Sequence, residues 1–172
     1  MNIRDQINIF IVDDNKIFTL ALKADIENAF LDMPVEVQIF ETGEKCMEIF
    51  KDEKPQVVIL DYHLNSKYPD AADGIAVLDW IKKENHETNV IMLTVDDDMD
   101  IALQSFHHGA FDYVTKTETQ FRKINFSLSN LFKVMEAKSY AKRYKHIVIG
   151  IFICIALLAG AVIAVQIVNH HS

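Results

Sequence analysis

Carboxylates, a hydroxyl and an amine stand where apolar runs stop. Asp13 and Asp14 follow INIFIV (7–12), Asp61 follows QVVIL (56–60), Thr94 closes NVIMLT (89–94), and Lys116 follows FDYVT (111–115). If these runs are parallel strands, their carboxyl ends share one edge, where ligands bind near a switch in strand order. Carboxylates gathered there repel and raise one another's pKa values unless a cation sits among them. Oxygen-only ligands with places left for water suit Mg²⁺. Lys116 adds a positive point charge and Thr94 a hydroxyl donor. The set contains no Ser–His or Cys–His nucleophile pair and no glycine-rich phosphate loop. It contains a carboxylate nucleophile, metal ligands and a cation, the parts needed to move a phosphoryl group onto an aspartate. Taken singly, each residue has a plainer reading: an Asp or Thr after a strand more often caps a helix, and a lone Lys is more often solvated. The conjunction carries the chemistry.

Positioning such a set falls to the elements that precede it. INIFIV (7–12), VEVQIF (35–40), QVVIL (56–60), NVIMLT (89–94) and FDYVT (111–115) are short, rich in Val, Ile and Phe, and bounded by turn or charged residues, so they are expected to be strands. Residues 15–31, 43–52, 73–84 and 98–108 are expected to be helices, the last ended by Gly109 at a C′ position. A further helix is expected from about Thr117–Glu118. This alternation implies βαβ crossovers and a mostly parallel, doubly wound α/β sheet covered on both faces. Three central runs are continuously apolar, as burial on both faces requires. A nucleophile at the end of such a strand is aimed by a rigid support, and a metal and a lysine offset its charge.

Half of the 172 residues are apolar, enough for a core without disulfides, and the two cysteines, Cys46 and Cys154, form no disulfide framework. A formal charge of −8 argues against direct nucleic-acid binding, which needs a basic face. The opening MNIRDQIN lacks the pattern of a signal peptide. Residues 147–168, IVIGIFICIALLAGAVIAVQIV, carry no charge. At ~1.5 Å per residue the run reaches ~33 Å, enough for a ~30 Å hydrocarbon layer, so a transmembrane helix is expected there. Lys138, Lys142, Arg143 and Lys145 precede it and only NHHS follows, which by the positive-inside rule places residues 1–146 in the cytoplasm and makes the chain a single-pass, tail-anchored protein. No Gly or Pro interrupts 116–149, so the fifth helix is expected to run into the span as one rod of ~75 Å. Phe121, Ile124, Leu128, Leu131 and Met135 repeat at helical spacing along it. That stripe either packs on the sheet or, in its distal half, forms a dimer seam. Ala156, Gly160 and Ala164 offer a small-residue face for a homodimer within the span.

The chain resembles the receiver domains of bacterial two-component response regulators. FIVDDN is similar to that family's acidic pair after the first strand, VVILDYHL to its phospho-acceptor strand, VIMLT to the strand ending in its hydroxyl residue, and GAFDYVTK to the strand ending in its lysine. ADGIAVLDWIK is similar to the helix after the acceptor loop. The likeness covers about residues 5–135. It implies a flavodoxin-like five-stranded sheet in the order 2-1-3-4-5. It implies Asp61 as phospho-acceptor and Mg²⁺ held by Asp13, Asp14, Asp61 and the backbone carbonyl of His63, with Asp14 in closer contact and Asp13 acting through water. Lys116 would pair with the phosphoryl oxygens, Thr94 would hydrogen-bond them, and Tyr113 would swing inward behind it. The implied partner is a sensor histidine kinase or a histidine phosphotransfer protein at the inner membrane. Such domains catalyse their own phosphorylation and dephosphorylation, and no separate catalytic domain is expected here.

The expected organisation is a receiver domain at 1–135, a basic juxtamembrane stalk at 136–146, a span at 147–168 and a short tail at 169–172. No room remains after residue 146 for a DNA-binding output, so the output would be protein contact, oligomerisation or onward transfer. Four departures from the family pattern stand out. The loop from Asp61 to Asp73–Gly74 is about five residues longer than usual. Val95 replaces a small residue and would control access to the acylphosphate. Thr117 stands where proline is usual, which puts a cis bond in doubt. DDDMD (96–100) would cap and charge the fourth helix. Two competing functions remain: a phosphorylation-independent receiver scaffold at the membrane, and a phosphorelay intermediate or phosphate sink. Trp80 and Cys46 are read as packing, and His107–His108 as cations favoured at a helix end.

Overall fold

The computed structural model describes residues 6–64, 70–95 and 99–170, except for the side chains at 142, 143, 145–147, 154–159 and 161–170. Two compact units divide the chain, one formed by Ile3–Leu131 and the other by the stretch from Phe132 onward. The first unit alternates strand and helix: β1 (Ile7–Val12), α1 (Lys16–Ala29), β2 (Val35–Phe40), α2 (Gly43–Glu53), β3 (Val57–Asp61), α3 (Gly74–Glu84), β4 (Asn89–Thr94), α4 (Met99–His107), β5 (Asp112–Thr115), and α5, which starts at Gln120. The five strands form one parallel sheet in the order β2-β1-β3-β4-β5, as the resemblance implied.

Apolar runs became strands because both sheet faces are covered. All five residues of β3 are buried, and so are Val90 through Thr94 of β4. Their β-branched side chains pack into a core that includes Phe10, Val12, Phe50, Val58, Leu60 and Met92. Asp61 is the last residue of β3, one position further than the apolar run suggested, because it pairs in register with Leu93 of β4.

Helix ends are set by side chains at specific positions. Asn15, Thr42 and Asp73 cap α1, α2 and α3, each accepting an N–H from the first turn. Helix α4 ends as expected at Gly109, whose φ is 93°. Gly109 donates to the Phe106 carbonyl and Ala110 to the Ser105 carbonyl, each at 3.0 Å, the two bonds of a Schellman motif. The described peptide bonds include no cis bond, so the one between Lys116 and Thr117 is trans.

Helix α5 spans Gln120–His170, 51 residues, so helical backbone continues into the stretch where the sequence led one to expect it. Within the first unit, Ile124, Leu128 and Leu131 are buried, so this part of the apolar stripe is core. Among the described residues, no helix is long and apolar enough to cross a membrane. The expected span, 147–168, has a helical backbone, but most of its side chains lie outside the described residues. Residues 65–69 of the acceptor loop and Asp96, Asp97 and Asp98 of the DDDMD run also lie outside them; of that run, Asp100 stands in the first turn of α4. Trp80, expected as packing, is 39 % exposed on α3. Cys46 is fully buried on α2, and burial pushes its thiol up to about 12, leaving it inert.

Candidate functional site

The parallel sheet delivers its carboxyl ends to one edge. Just after β1, Asp13 is buried and Asp14 half-buried; Asp61 closes β3 and is also buried. One carboxylate oxygen from each of the three lies within 4.8 Å of the others. Lys116, directly after β5, reaches into this group, its Nζ 2.7 Å from Asp13 Oδ2 and 2.9 Å from Asp61 Oδ2. Its backbone N–H donates to the Thr94 carbonyl at 2.6 Å, which locks the end of β5 to the end of β4.

Burial, followed by the charge of Asp61, raises the pKa of Asp13; Lys116 and the Asn15 N–H oppose that shift without cancelling it. Burial by itself would lower the Lys116 ammonium, but Asp61 and Asp13 outweigh it and hold the pKa above the ordinary lysine value. Three carboxylates against one ammonium leave about two surplus negative charges if all are ionised. Asp61 Oδ1 is buried and has no hydrogen-bond partner among the described residues. An orphaned buried carboxylate oxygen beside two further carboxylates fits a hard divalent cation, and the all-oxygen donor set suits Mg²⁺.

The structure therefore joins Asp13, Asp14, Asp61 and Lys116. Thr94 is fully buried at the end of β4, beside β3 in the sheet order. His63 lies two residues past Asp61, half-buried and edge-on to Tyr62 with ring centroids 4.8 Å apart. Tyr113 is half-buried and packs against the core cluster. It also lines an open cavity of about 380 Å³ with Asp112, Arg122, Lys123 and Phe126, which none of the three clustered carboxylates borders. Val95 is 63 % exposed next to Thr94.

Three residues in contact with the site were missed in the sequence. A Cβ on Gly74 would come within 2.4 Å of the Asp61 carbonyl oxygen and 2.6 Å of Tyr62 Cα, so only glycine lets α3 start against the backbone of the acceptor. Asn15 links the acidic pair to α1, since its N–H donates to Asp13 Oδ1 at 2.8 Å while its own Oδ1 accepts the Phe18 N–H at 3.1 Å. The ring of Phe18 lies with its centroid 5.1 Å from Lys116 Nζ. Gly74 could have been suspected from its place after the Asp73 cap. Asn15 had a signal as an N-cap residue at the start of the expected helix 15–31, whereas Phe18 had none, because nothing local says that α1 brings it to Lys116.

A doubly wound parallel domain with an acidic pocket and a lysine at its carboxyl edge is the class that the fold and site define. Residues 9–125 match the model of the response regulator receiver domain, and the chain belongs to that family. It is 28 % identical over 108 residues to the DNA-binding transcriptional regulator NtrC of Escherichia coli K12, a match covering 63 % of this chain and 21 % of NtrC. It is 35 % identical over 74 residues to the probable C4-dicarboxylate response regulator DctR of Bacillus subtilis, covering 43 % and 30 % of the two chains. The match thus spans about a fifth of the length of NtrC. Among solved structures, it is similar to the signal receiver domain of a LuxO repressor protein from Vibrio parahaemolyticus (TM-score 0.66, 25 % identity, 80 % of this chain and 98 % of that one). It is also similar to the BeF3-activated receiver domain of DrrB (TM-score 0.56, 30 % identity, 73 % and 99 % covered).

Proposed function

We propose that this chain is a membrane-anchored, Mg²⁺-dependent phosphoryl acceptor that switches protein contacts. The reading rests above all on the Asp61 carboxylate: one oxygen is paired with Lys116 at 2.9 Å, and the other is buried without a partner beside Asp13 and Asp14. The carboxylate bonds to phosphorus as the P–N bond of a phosphohistidine on a sensor kinase or phosphotransfer protein breaks, and the leaving imidazole keeps the electron pair and takes up a proton. Asp13, Asp14, Asp61 and the His63 carbonyl would hold the cation, which supplies charge neutralisation of the phosphoryl oxygens when bound. Lys116 meets the charge of the transferred group, and its bonds to Asp13 and Asp61 hold it in place beforehand. Thr94 then hydrogen-bonds the phosphoryl oxygens, Tyr113 follows it inward, and Val95 limits water at the acylphosphate.

The uncharged run 147–168, after Lys138, Lys142, Arg143 and Lys145, supports an anchor in the inner membrane with the receiver domain on the cytoplasmic side. On this reading α5 carries the switched state toward the membrane, and two copies pair there through Ala156, Gly160 and Ala164.

The test is to incubate the full-length chain in detergent with Mg²⁺ and acetyl phosphate and weigh the intact protein. One added phosphoryl mass that disappears in Asp61→Asn is the expected result. No adduct together with no Mg²⁺ binding would overturn it and leave a phosphorylation-independent scaffold. Mg²⁺ binding without an adduct would direct attention to Val95, with Val95→Ala expected to open the site.

A further inference from the structure

The Lys116 ammonium has three described neighbours: Asp13 Oδ2 at 2.7 Å, Asp61 Oδ2 at 2.9 Å, and the Phe18 ring with its centroid at 5.1 Å. The carboxylates are shared with the proposed cation and the incoming phosphoryl group. The ring is the one neighbour of the three whose charge never changes. A lysine ammonium is a point charge on a flexible four-carbon stem, and two ion pairs that reorganise once the phosphoryl group arrives hold it only beforehand. An aromatic face attracts the same charge through its quadrupole and restricts where it can go.

Phe18 is itself held from two sides. Its N–H is bound by the Asn15 side chain, whose backbone in turn donates to Asp13. Behind it, Phe121 in the first turn of α5 contacts the ring, with centroids 5.7 Å apart and planes tilted by 50°. The lysine, the ring on α1 and the ring on α5 form one continuous contact.

We propose that Phe18 is a positioning residue for Lys116, and that with Phe121 it couples the lysine to the start of α5. This rests on the phosphoryl-acceptor reading for its consequence, but the positioning itself is observable without phosphoryl transfer. An ammonium held against the ring carries its εCH₂ protons into the ring's shielding region. When Asp61 is phosphorylated, Lys116 shifts toward the phosphoryl oxygens, and the ring and Phe121 register that shift at α5.

Full-length protein with ¹³C-labelled lysine, the Lys116 resonance assigned by its loss in Lys116→Arg, gives the direct readout. The εCH₂ signal is expected upfield of the other lysines, to return to their range in Phe18→Leu, and to stay upfield in Phe18→Tyr, which keeps the ring. With Mg²⁺ saturating, Phe18→Leu is expected to slow adduct formation from acetyl phosphate roughly three- to tenfold, the size of one such contact, with Phe18→Tyr near the parent rate. Phe121→Leu should slow it less, and the double variant no more than Phe18→Leu alone. An unshifted Lys116 signal in the parent protein overturns the positioning role whether or not the protein accepts phosphoryl groups. A parent that shows the shift but neither forms an adduct nor binds Mg²⁺ overturns the phosphoryl-acceptor reading instead. Independent, multiplying effects of the two leucine substitutions overturn the coupling to α5.

Discussion

Asp13 pays for its place in the acidic pocket, and the direction of its pKa predicts how the metal-free protein answers to pH. A carboxyl whose folded-state pKa lies above its ordinary 3.8 binds its proton more tightly in the folded than in the unfolded chain. Its contribution to stability is therefore present below the unfolded value and lost as pH rises through the folded value. Metal-free protein is expected to lose this contribution on going from acid toward neutral pH. Saturating Mg²⁺ should restore it, because a cation replaces the missing positive charge. Asp13→Asn should flatten the metal-free profile and abolish most of the Mg²⁺ gain. Thermal melts at pH 4.5 and 7.5, with and without Mg²⁺, check this; an unchanged profile in Asp13→Asn would remove the electrostatic account. Lys116, whose pKa is raised, has the same sign of linkage, but its contribution fades only above the ordinary 10.5, so its pairs persist through neutral pH.

At the scale of elements, the site depends on how closely α3 approaches β3. Gly74→Ala puts a Cβ 2.4 Å from the Asp61 carbonyl, a contact with backbone that no rotamer change relieves. The expected cost is about 1–3 kcal/mol from overpacking, with a fall in adduct formation as Asp61 is displaced. Gly109 offers the contrast: its φ of 93° ends α4 far from the acceptor, so Gly109→Ala should cost roughly 1–2 kcal/mol while leaving the parent rate of adduct formation. Urea unfolding paired with the acetyl phosphate assay separates the two; equal losses of rate would show that closeness to Asp61 is not what matters at Gly74. These elements also show how far the sequence could be read. β1, β2 and β4 were legible to the residue because apolar runs between turn signals have little choice when both sheet faces are covered. Asp13, Asp14, Asp61 and Lys116 were legible as a set because parallel topology brings strand ends together whatever the loops do. Gly74 and Phe18 were harder, since their roles come from close approaches between elements distant in sequence, Gly74 to the Asp61 backbone and Phe18 to Lys116. Trp80, read as packing, is 39 % exposed and so only partly covered.

For the molecule as a whole, charge is distributed unevenly along the chain. Net charge is −8, yet Lys138, Lys142, Arg143 and Lys145 fall within eight residues, directly ahead of an uncharged run of 22. An acidic domain is repelled by anionic lipid headgroups, and a basic collar is drawn to them at ~1 kcal/mol per cation. Within the second unit, Ile149, Ile151, Phe152 and Ile153 are each about half exposed or more, an apolar surface that lipid would cover. If the tail spans the membrane, full-length protein expressed in bacteria should pellet with membranes after an alkaline carbonate wash. Each arginine placed mid-span costs about 2.5–3.5 kcal/mol of insertion, so Leu158→Arg with Ala161→Arg should move most of the protein to the supernatant. Neutralising Lys142, Arg143 and Lys145 to Gln should leave the protein in the pellet but weaken its fixed orientation, read by protease access to residues 6–131 in inverted vesicles. Release of the parent chain by carbonate would remove the anchor while leaving the Asp61 chemistry untouched, because the pocket is built wholly from residues of the first unit.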